Sequence, residues 1–161
     1  MKNLKNILTA ILGSALMYGC SFLDIEPETT LTGKNFYKSP EDIHSALYAT
    51  YSSLRENGLY SASIYLFGDV RSDIAFPNQT NYYANTFRHE IERFTMSANN
   101  SGNQNYWAHH YKGIIRANTV IEKGKELFGD NPNVQKYIAE AQVLRALFYF
   151  NLVRAYGGVP V

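Results

Sequence analysis

Hydrophobic positions near the end of the chain recur with the period of an α-helix. Between Val134 and Tyr156, apolar side chains are three and four residues apart, which is the spacing of one helix face. Further apolar residues widen this face over most of the circumference, so we expect neighbours on several sides. Asn131-Pro132 suits the start of the helix and Gly157-Gly158 its end. The pattern therefore predicts a long helix that the earlier segments pack around.

A second helix is predicted early in the chain, where Ser39-Pro40-Glu41-Asp42 has the composition of a helix start. Ser39 can cap the first turn, and Asp42, three residues later, can complete a capping-box-like pair with it. An apolar stripe follows it: Ile43, Leu47, Thr50, Tyr51 and Leu54. Asn57-Gly58 predicts the end of this helix. A shorter helix is predicted over 59–68.

The segment Asn105–Leu127 is predicted to be helical as well. One face of it is formed by Trp107, Tyr111, Ile114, Ile115, Asn118 and Ile121. Because only a short turn at Gly129-Asp130 links it to the final helix, we expect an antiparallel hairpin. The Trp107 and Tyr111 pair, with an alanine-rich second helix, is similar to a tetratricopeptide unit. The predicted fold is therefore all-α, built from tetratricopeptide-like helical hairpins.

Residues 74–102 are rich in Asn, Ser, Thr and Tyr and have little periodicity. They predict a long irregular loop, and a loop of that length inside a domain is usually functional or disordered. Its aromatic residues argue against disorder. The part from 78 to 85 combines tyrosines with side-chain amides.

The N-terminus has the pattern of a secretory signal peptide, predicted over 1–19. Lys2 and Lys5 precede an apolar run from Ile7 to Met17, which is too short to span a bilayer. Cys20, the only cysteine, follows directly, and the sequence before it resembles a bacterial lipobox. We expect Cys20 to be lipidated, for example with palmitate, and residues 20–38 to form a tether. Stable attachment needs two or more acyl chains.

Composition limits the classes of function. The chain has 161 residues, 14% of them aromatic, and a formal charge of +1. A nearly neutral chain has no basic footprint for nucleic acid, so none is expected as a partner.

Several motifs together resemble one family. The first runs from Cys20 through Phe22-Leu23-Asp24 to Pro27, and the second is the helix start at Ser39. Asp69 and Asp73 come next. The last two motifs are Trp107-x-x-x-Tyr111-x-x-Ile114-x-x-Ala117-Asn118 and the segment from Ala139 to Pro160 that contains Leu144-Arg145-Ala146 and Tyr156-Gly157-Gly158. In order and spacing they resemble the N-terminal part of a SusD/RagB-type nutrient-binding outer-membrane lipoprotein.

The resemblance implies a fold, a location and partners. Family members are all-helical, are lipid-anchored at the cell surface, and bind glycans or sometimes peptides. They cover a TonB-dependent, SusC-like transporter that imports the ligand. Residues 39–161 would then be the N-terminal region of a larger helical protein. No cofactor and no catalytic activity are implied.

The residues that we expect to contact the ligand lie in the loop after Asp69 and Asp73. Tyr82 and Tyr83 offer flat faces for a pyranose, and Asn81 and Asn85 offer amides for its hydroxyls. The alternative is a surface loop whose tyrosines only pack on the helices.

Other motifs favour a structural role. Asp69, Arg71 and Asp73 are expected to form ion pairs. Arg145 and Glu140, on the final helix, are expected to have buried stems with their head groups either paired or extended to solvent. The motif from His89 to Arg93 has Arg93 where a zinc site needs its second histidine, and His109-His110 project in different directions on a helix. We therefore expect no metal site.

The sequence favours a non-enzymatic glycan-binding lipoprotein. The alternative is a surface-anchored helical module that binds a protein or peptide partner. An exported glycosidase is the third hypothesis, which lacks an identifiable pair of catalytic carboxylates.

Overall fold

The computed structural model describes residues 36–77 and 86–161. The chain divides into two units, Met1–Phe36 and Tyr37–Val161, and every helix of the described residues belongs to the second unit. The described residues contain five α-helices: α1 Pro40–Ser52, α2 Ser63–Phe67, α3 Thr86–Glu92, α4 Ser101–Phe128 and α5 Pro132–Tyr156. Short 3₁₀ helices, Ser53–Arg55 and Asp69–Arg71, follow α1 and α2. No strand occurs in the described ranges, and the predicted all-α fold is confirmed for them.

Helix α1 begins with the predicted capping box. The Ser39 hydroxyl accepts a hydrogen bond from the Asp42 backbone N–H at 3.3 Å, and the Asp42 carboxylate accepts one from the Ser39 backbone N–H at 2.8 Å. Hydrogen bonds from the side chain and backbone of Ser39 lower the pKa of Asp42. The start of α5 is capped as well, since the Asn131 side chain accepts from Asn133 and Val134.

The two long helices, α4 and α5, pack as the predicted antiparallel hairpin. The end of α4 meets the start of α5, where Gly124 lies against Ile138. Near the other end of the hairpin, the Tyr106 hydroxyl donates to the Asn151 carbonyl at 3.3 Å. In the middle, a Cβ atom on Gly113 would come within 2.6 Å of the Phe148 ring. Glycine at 113 therefore permits the close approach of the two helices.

Helix α1 packs against both members of the hairpin and completes the main core. Its Ile43 is fully buried and its Leu47 is 2% exposed. The other buried members of this core are Leu59, Tyr106, Ile114, Val120, Ile121, Val134, Ile138, Ala141, Leu144, Phe148 and Leu152. The prediction that earlier segments pack around the final helix is confirmed.

The C-terminal end of α1 is held by side chains from α4. The Arg116 guanidinium donates to the Ser53 hydroxyl at 2.7 Å and to the Ala49 carbonyl at 3.2 Å. A cation at this position also complements the helix dipole. Lys112 donates to the Glu56 carboxylate at 2.8 Å, and this hydrogen bond lowers the pKa of Glu56. These contacts fix the turn that leads into α2.

The buried face of α4 differs from the predicted one. Ile115 is 64% exposed and Trp107 is 38% exposed, whereas His110 is fully buried. The prediction placed only aliphatic and aromatic residues and Asn118 on the buried face of α4. In the structure, glycines and a histidine also contact α5. His110 can be buried because its Nδ1 donates to the Tyr106 carbonyl at 2.7 Å.

The stretch 74–102 is not irregular throughout, and that part of the prediction was wrong. Thr86–Glu92 forms the seven-residue helix α3. Its Ile91 is buried with Leu66 and Val70 in a second, smaller cluster, against which Phe87 packs. A helix this short shows only about two turns of periodicity, so tertiary packing rather than pattern determines it. The helix predicted over 59–68 is likewise shorter, at Ser63–Phe67.

Substituting Gly113 tests the close approach of α4 and α5. Gly113→Ala places a Cβ against the Phe148 ring, and overpacking of this kind typically costs about 1–3 kcal/mol. The better helix propensity of alanine offsets up to about 1 kcal/mol. We expect a net loss of about 1–2 kcal/mol in the free energy of unfolding, measured by urea denaturation. Gly158→Ala is the control because nothing lies within 4 Å of its Cβ position. Equal stability of both variants would contradict this account.

Acid should destabilise the protein through His110. Burial lowers the pKa of His110 in the folded state, so the unfolded state binds more protons just below the ordinary histidine value of 6.5. Stability is therefore complete above that pH and falls as the pH drops through it, by up to about 1.4 kcal/mol per pH unit. Denaturation between pH 8 and pH 5 should show a shallower pH dependence in His110→Gln. An unchanged slope in His110→Gln would exclude this role.

Candidate functional site

The residues predicted to contact a ligand, Asn81, Tyr82, Tyr83 and Asn85, lie outside the described residues, as does Cys20. The structure does describe the two sides of the loop. On one side the chain passes from the 3₁₀ helix Asp69–Arg71 to the buried Pro77, and on the other it continues as α3.

Both sides of the loop are attached to the helical body. Val70 and Ile91 pack together in the smaller cluster, which joins the 3₁₀ helix to α3. The side chain of Asn100 donates to the Phe87 carbonyl at 2.9 Å and to the Glu90 carboxylate at 2.7 Å. Since the other end of the Asn100 amide caps α4, α3 is tied directly to the start of that helix. The described residues on both sides of the loop are therefore held against the helices.

Arg71 does not form the expected ion pair. No ion pair joins it to Asp69 or Asp73 within the part of the chain that the structure describes. Its guanidinium instead lies over the Phe94 ring, 4.9 Å from the centroid, and 5.7 Å from the centroid of Phe67. Phe94 has a positive φ of 57° and is 66% exposed. Stacking on arginine helps to hold this left-handed residue at the end of α3.

An aromatic cluster forms where the start of α4 meets the end of α5. Phe67 of α2 lies 4.2 Å from Tyr106 between ring centroids, and Tyr106 lies 6.1 Å from Tyr156. Trp107 contacts Tyr156 edge-on at 5.1 Å. The antiparallel pairing of the two long helices brings these residues together although they are far apart in sequence.

A cleft of about 310 Å³ opens beside this cluster, and we call it the arginine cleft. Its lining residues come from α2, the adjacent turn, α4 and α5: Ile64, Tyr65, Phe67, Gly68, Asp69, Tyr106, Arg154 and Ala155. Asp69 and Arg154 have opposite charges, yet neither forms an ion pair among the described residues. The Arg154 guanidinium is supported by the Phe150 ring, 5.4 Å from its centroid.

The arginine cleft has the chemistry to bind a hydroxylated ligand. A guanidinium donates in a fork and a carboxylate accepts, so Arg154 and Asp69 suit neighbouring hydroxyl groups. Tyr65, which is 41% exposed, adds an aromatic surface. Burial raises the pKa of Tyr106 to about 12, so its hydroxyl stays protonated at neutral pH. Nothing here resembles a nucleophile with an adjacent base.

The histidines take structural positions. His109 Nδ1 accepts from the Gly58 backbone N–H at 2.8 Å, while His110 is turned into the core. His89 lies 3.3 Å from the Glu92 carboxylate within α3. Across 36–77 and 86–161 no group of three or more His, Cys, Asp or Glu side chains is placed to hold a metal ion.

Arg145 and Glu140 of the final helix are both paired. Arg145 donates to the Asn118 side chain at 2.8 Å. The Glu140 carboxylate accepts from the Tyr51 hydroxyl at 2.9 Å, and this hydrogen bond raises the pKa of Tyr51. Both contacts connect α5 to a neighbouring helix.

Sequence reasoning missed the arginine cleft. In the sequence, Arg154 is a charged residue near the end of the final helix, and Tyr65 lies in the short predicted helix over 59–68. Phe67, Tyr106 and Arg154 are far apart in sequence, so they give no local signal. The packing of α2 on α4 and the antiparallel pairing of α4 with α5 bring Phe67, Tyr106 and Arg154 to one opening.

Among the described residues, no helix has the length and apolar character needed to cross a membrane. A family model, SusD-like and described as "Starch-binding associating with outer membrane", matches residues 21–161. No solved structure matches the chain.

Three curated relatives come from Formosa agariphila. SusD-like protein P38 is 30% identical to the chain over all of it, SusD-like protein P2 is 28% identical over 99% of it, and SusD-like protein P25 is 25% identical over 98%. The chain spans only 31% of the length of each relative. Since the family model accounts for nearly all of the sequence after residue 20, the chain belongs to the SusD-like family.

Proposed function

We propose that this protein is a lipid-anchored outer-membrane component that binds glycans at the cell surface and delivers them to a TonB-dependent, SusC-like transporter. The observation that carries the proposal is the match of residues 21–161 to a family described as starch-binding and associated with the outer membrane. The protein acts by binding and not by catalysis. Residues 1–19 are a signal peptide, 20–38 a lipidated tether, and 39–161 the N-terminal helical region of the SusD-like protein.

Ligand contacts in this proposal come from the loop between Pro77 and Thr86. Tyr82 and Tyr83 stack on the apolar face of a pyranose, and Asn81 and Asn85 hydrogen-bond its hydroxyls. The described residues on either side of the loop favour this role, because the contacts of Val70, Ile91 and Asn100 hold both sides in place. The arginine cleft supports the proposal independently, since its Asp69 and Arg154 side chains are available for hydroxyl groups.

A protein-binding function is the second candidate, and one surface of α5 favours it. Val143, Phe150 and Val153 are 69%, 58% and 51% exposed. Their spacing of seven and three residues places them on one face of the helix. Exposed apolar residues that share a face are typical of protein contacts. Retention of a starch-derived glycan by the purified protein supports the first candidate, and stable co-purification with a protein alone supports the second.

Removing the loop tyrosines should weaken glycan binding. In the full chain, Tyr82→Ala with Tyr83→Ala should weaken the affinity for maltoheptaose by about tenfold or more, because stacking contributes roughly 1 kcal/mol per ring. Isothermal titration calorimetry measures the change. Tyr82→Phe with Tyr83→Phe retains the rings and should lose much less. Tyr48→Ala, an exposed tyrosine on α1, is the control for removing an aromatic side chain. Unchanged affinity in a folded alanine variant would exclude Tyr82 and Tyr83 as glycan contacts.

Replacing Cys20 should release the protein from the membrane. Cys20→Ala removes the thiol that carries the first acyl chain, and without two or more chains attachment is only marginal. Fractionation of cells that express the variant should move the protein from the membrane pellet to the soluble fraction. Mass spectrometry of the wild type should show an acylated N-terminal cysteine. A variant that stays in the membrane fraction at wild-type level would contradict the lipid anchor.

A further inference from the structure

A second cleft lies beside the first turns of α4 and is separate in composition from the arginine cleft. It has a volume of about 370 Å³ and we call it the tryptophan cleft. Its lining residues are Ala98, Asn103, Gln104, Trp107 and Tyr156. The volume is within the range of small-molecule pockets, about 300–1,000 Å³. None of these residues lies between Pro77 and Thr86, the part of the loop that carries the predicted ligand contacts.

Trp107 is fixed in place as an exposed aromatic surface. Its ring meets Tyr156 edge-on, with centroids 5.1 Å apart and planes at 74°, and lies 4.9 Å from Tyr111. It nevertheless remains 38% exposed. Two ring contacts hold the orientation of the indole, so little side-chain entropy is lost when a ligand covers it. Such a ring is suited to stacking.

Two amides stand at the edge of the same cleft. The Asn103 side-chain oxygen accepts from the Tyr156 hydroxyl at 2.8 Å, which fixes the amide and leaves its amino group as a donor. Burial raises the pKa of Tyr156, so its hydroxyl remains a donor. Gln104 is exposed and makes no side-chain hydrogen bond to the described residues. Both side chains can therefore serve a bound polar group.

The composition of the lining selects the class of ligand. No charged side chain lines the tryptophan cleft, which disfavours phosphate, carboxylate and ammonium groups. An aromatic face with neutral amides at its edge fits a molecule that has an apolar face and hydroxyls around its rim. A neutral pyranose has this arrangement.

We propose that the tryptophan cleft is a saccharide-binding site in which a neutral pyranose stacks on Trp107 and hydrogen-bonds to Asn103 and Gln104. The inference rests on the proposed function and adds to it a second point of contact on the helical body.

The single tryptophan of the chain makes a direct test possible. Because Trp107 is the only source of tryptophan emission, titration of the full chain with maltoheptaose reports on this cleft alone. We expect a saturable shift or quenching of the emission, with the same midpoint as the heat of binding in calorimetry. Titration with glycerol at matched viscosity and hydroxyl content gives the baseline.

Variants then separate binding from folding. Trp107→Ala should weaken maltoheptaose affinity by about tenfold, Trp107→Phe by less, and Asn103→Ala with Gln104→Ala by a few-fold. Calorimetry measures all three, and thermal unfolding followed by circular dichroism confirms that each is folded. Ile115→Ala on α4, whose side chain is 64% exposed and does not line the cleft, is the matched control.

The possible results distinguish the two proposals. Calorimetric binding without a change in Trp107 emission, and with unchanged affinity in Trp107→Ala, overturns the tryptophan cleft and leaves the proposed function standing. Absence of both heat and emission change in the wild type overturns both for this glycan class. A matched emission midpoint together with weaker binding in Trp107→Ala supports the cleft.

Discussion

The close contact between Gly113 and Phe148 determines how closely the two long helices approach each other. A fully buried aromatic ring occupies the space that any side chain at 113 would need. With no Cβ in the way, α4 and α5 approach closely along their middle turns, and protein interiors at this density tolerate little change in volume. The close approach also fixes which residues of α4 lie beside which residues of α5. This pairing, or register, places the tight turn at one end of the hairpin and the aromatic cluster at the other.

The register explains why aromatic residues from distant parts of the sequence meet. Tyr106 and Trp107 are in the second turn of α4, and Tyr156 is the last residue of α5. Pairing the helices in opposite directions brings them to the same end, and Phe67 joins them because α2 packs on α4. Helix α1 is then docked against both helices, with Arg116 holding its C-terminal end. The clefts thus lie at the one end of the hairpin where loops and helix termini converge.

Helices with strong periodicity and clear caps could be predicted from the sequence, and α1 and α5 are the best examples. Ser39 and Asp42 form the expected box, and Asn131 caps α5. Two features were out of reach for physical reasons. Helix α3 has too few turns to show a period and depends on Ile91 packing with Val70. The inner face of α4 uses His110 and glycines, which a hydrophobicity pattern counts as polar or neutral. The clefts were invisible because their walls combine residues that only the helix register brings together.

The walls and the rims of the two clefts have different physical roles, and this decides how binding can be separated from folding. Tyr106 is 2% exposed and Tyr156 anchors Asn103, so truncating either one removes core packing as well as cleft surface. Trp107, Gln104 and Arg154 instead keep accessible surface at the opening, and their loss leaves the contact between Gly113 and Phe148 intact. A binding defect at these rim residues can therefore be attributed to ligand contact when the free energy of unfolding is unchanged. A binding defect after substitution of Tyr106 or Tyr156 cannot be attributed to ligand contact in this way, because these rings line the clefts and also stabilise the packing of α4 against α5.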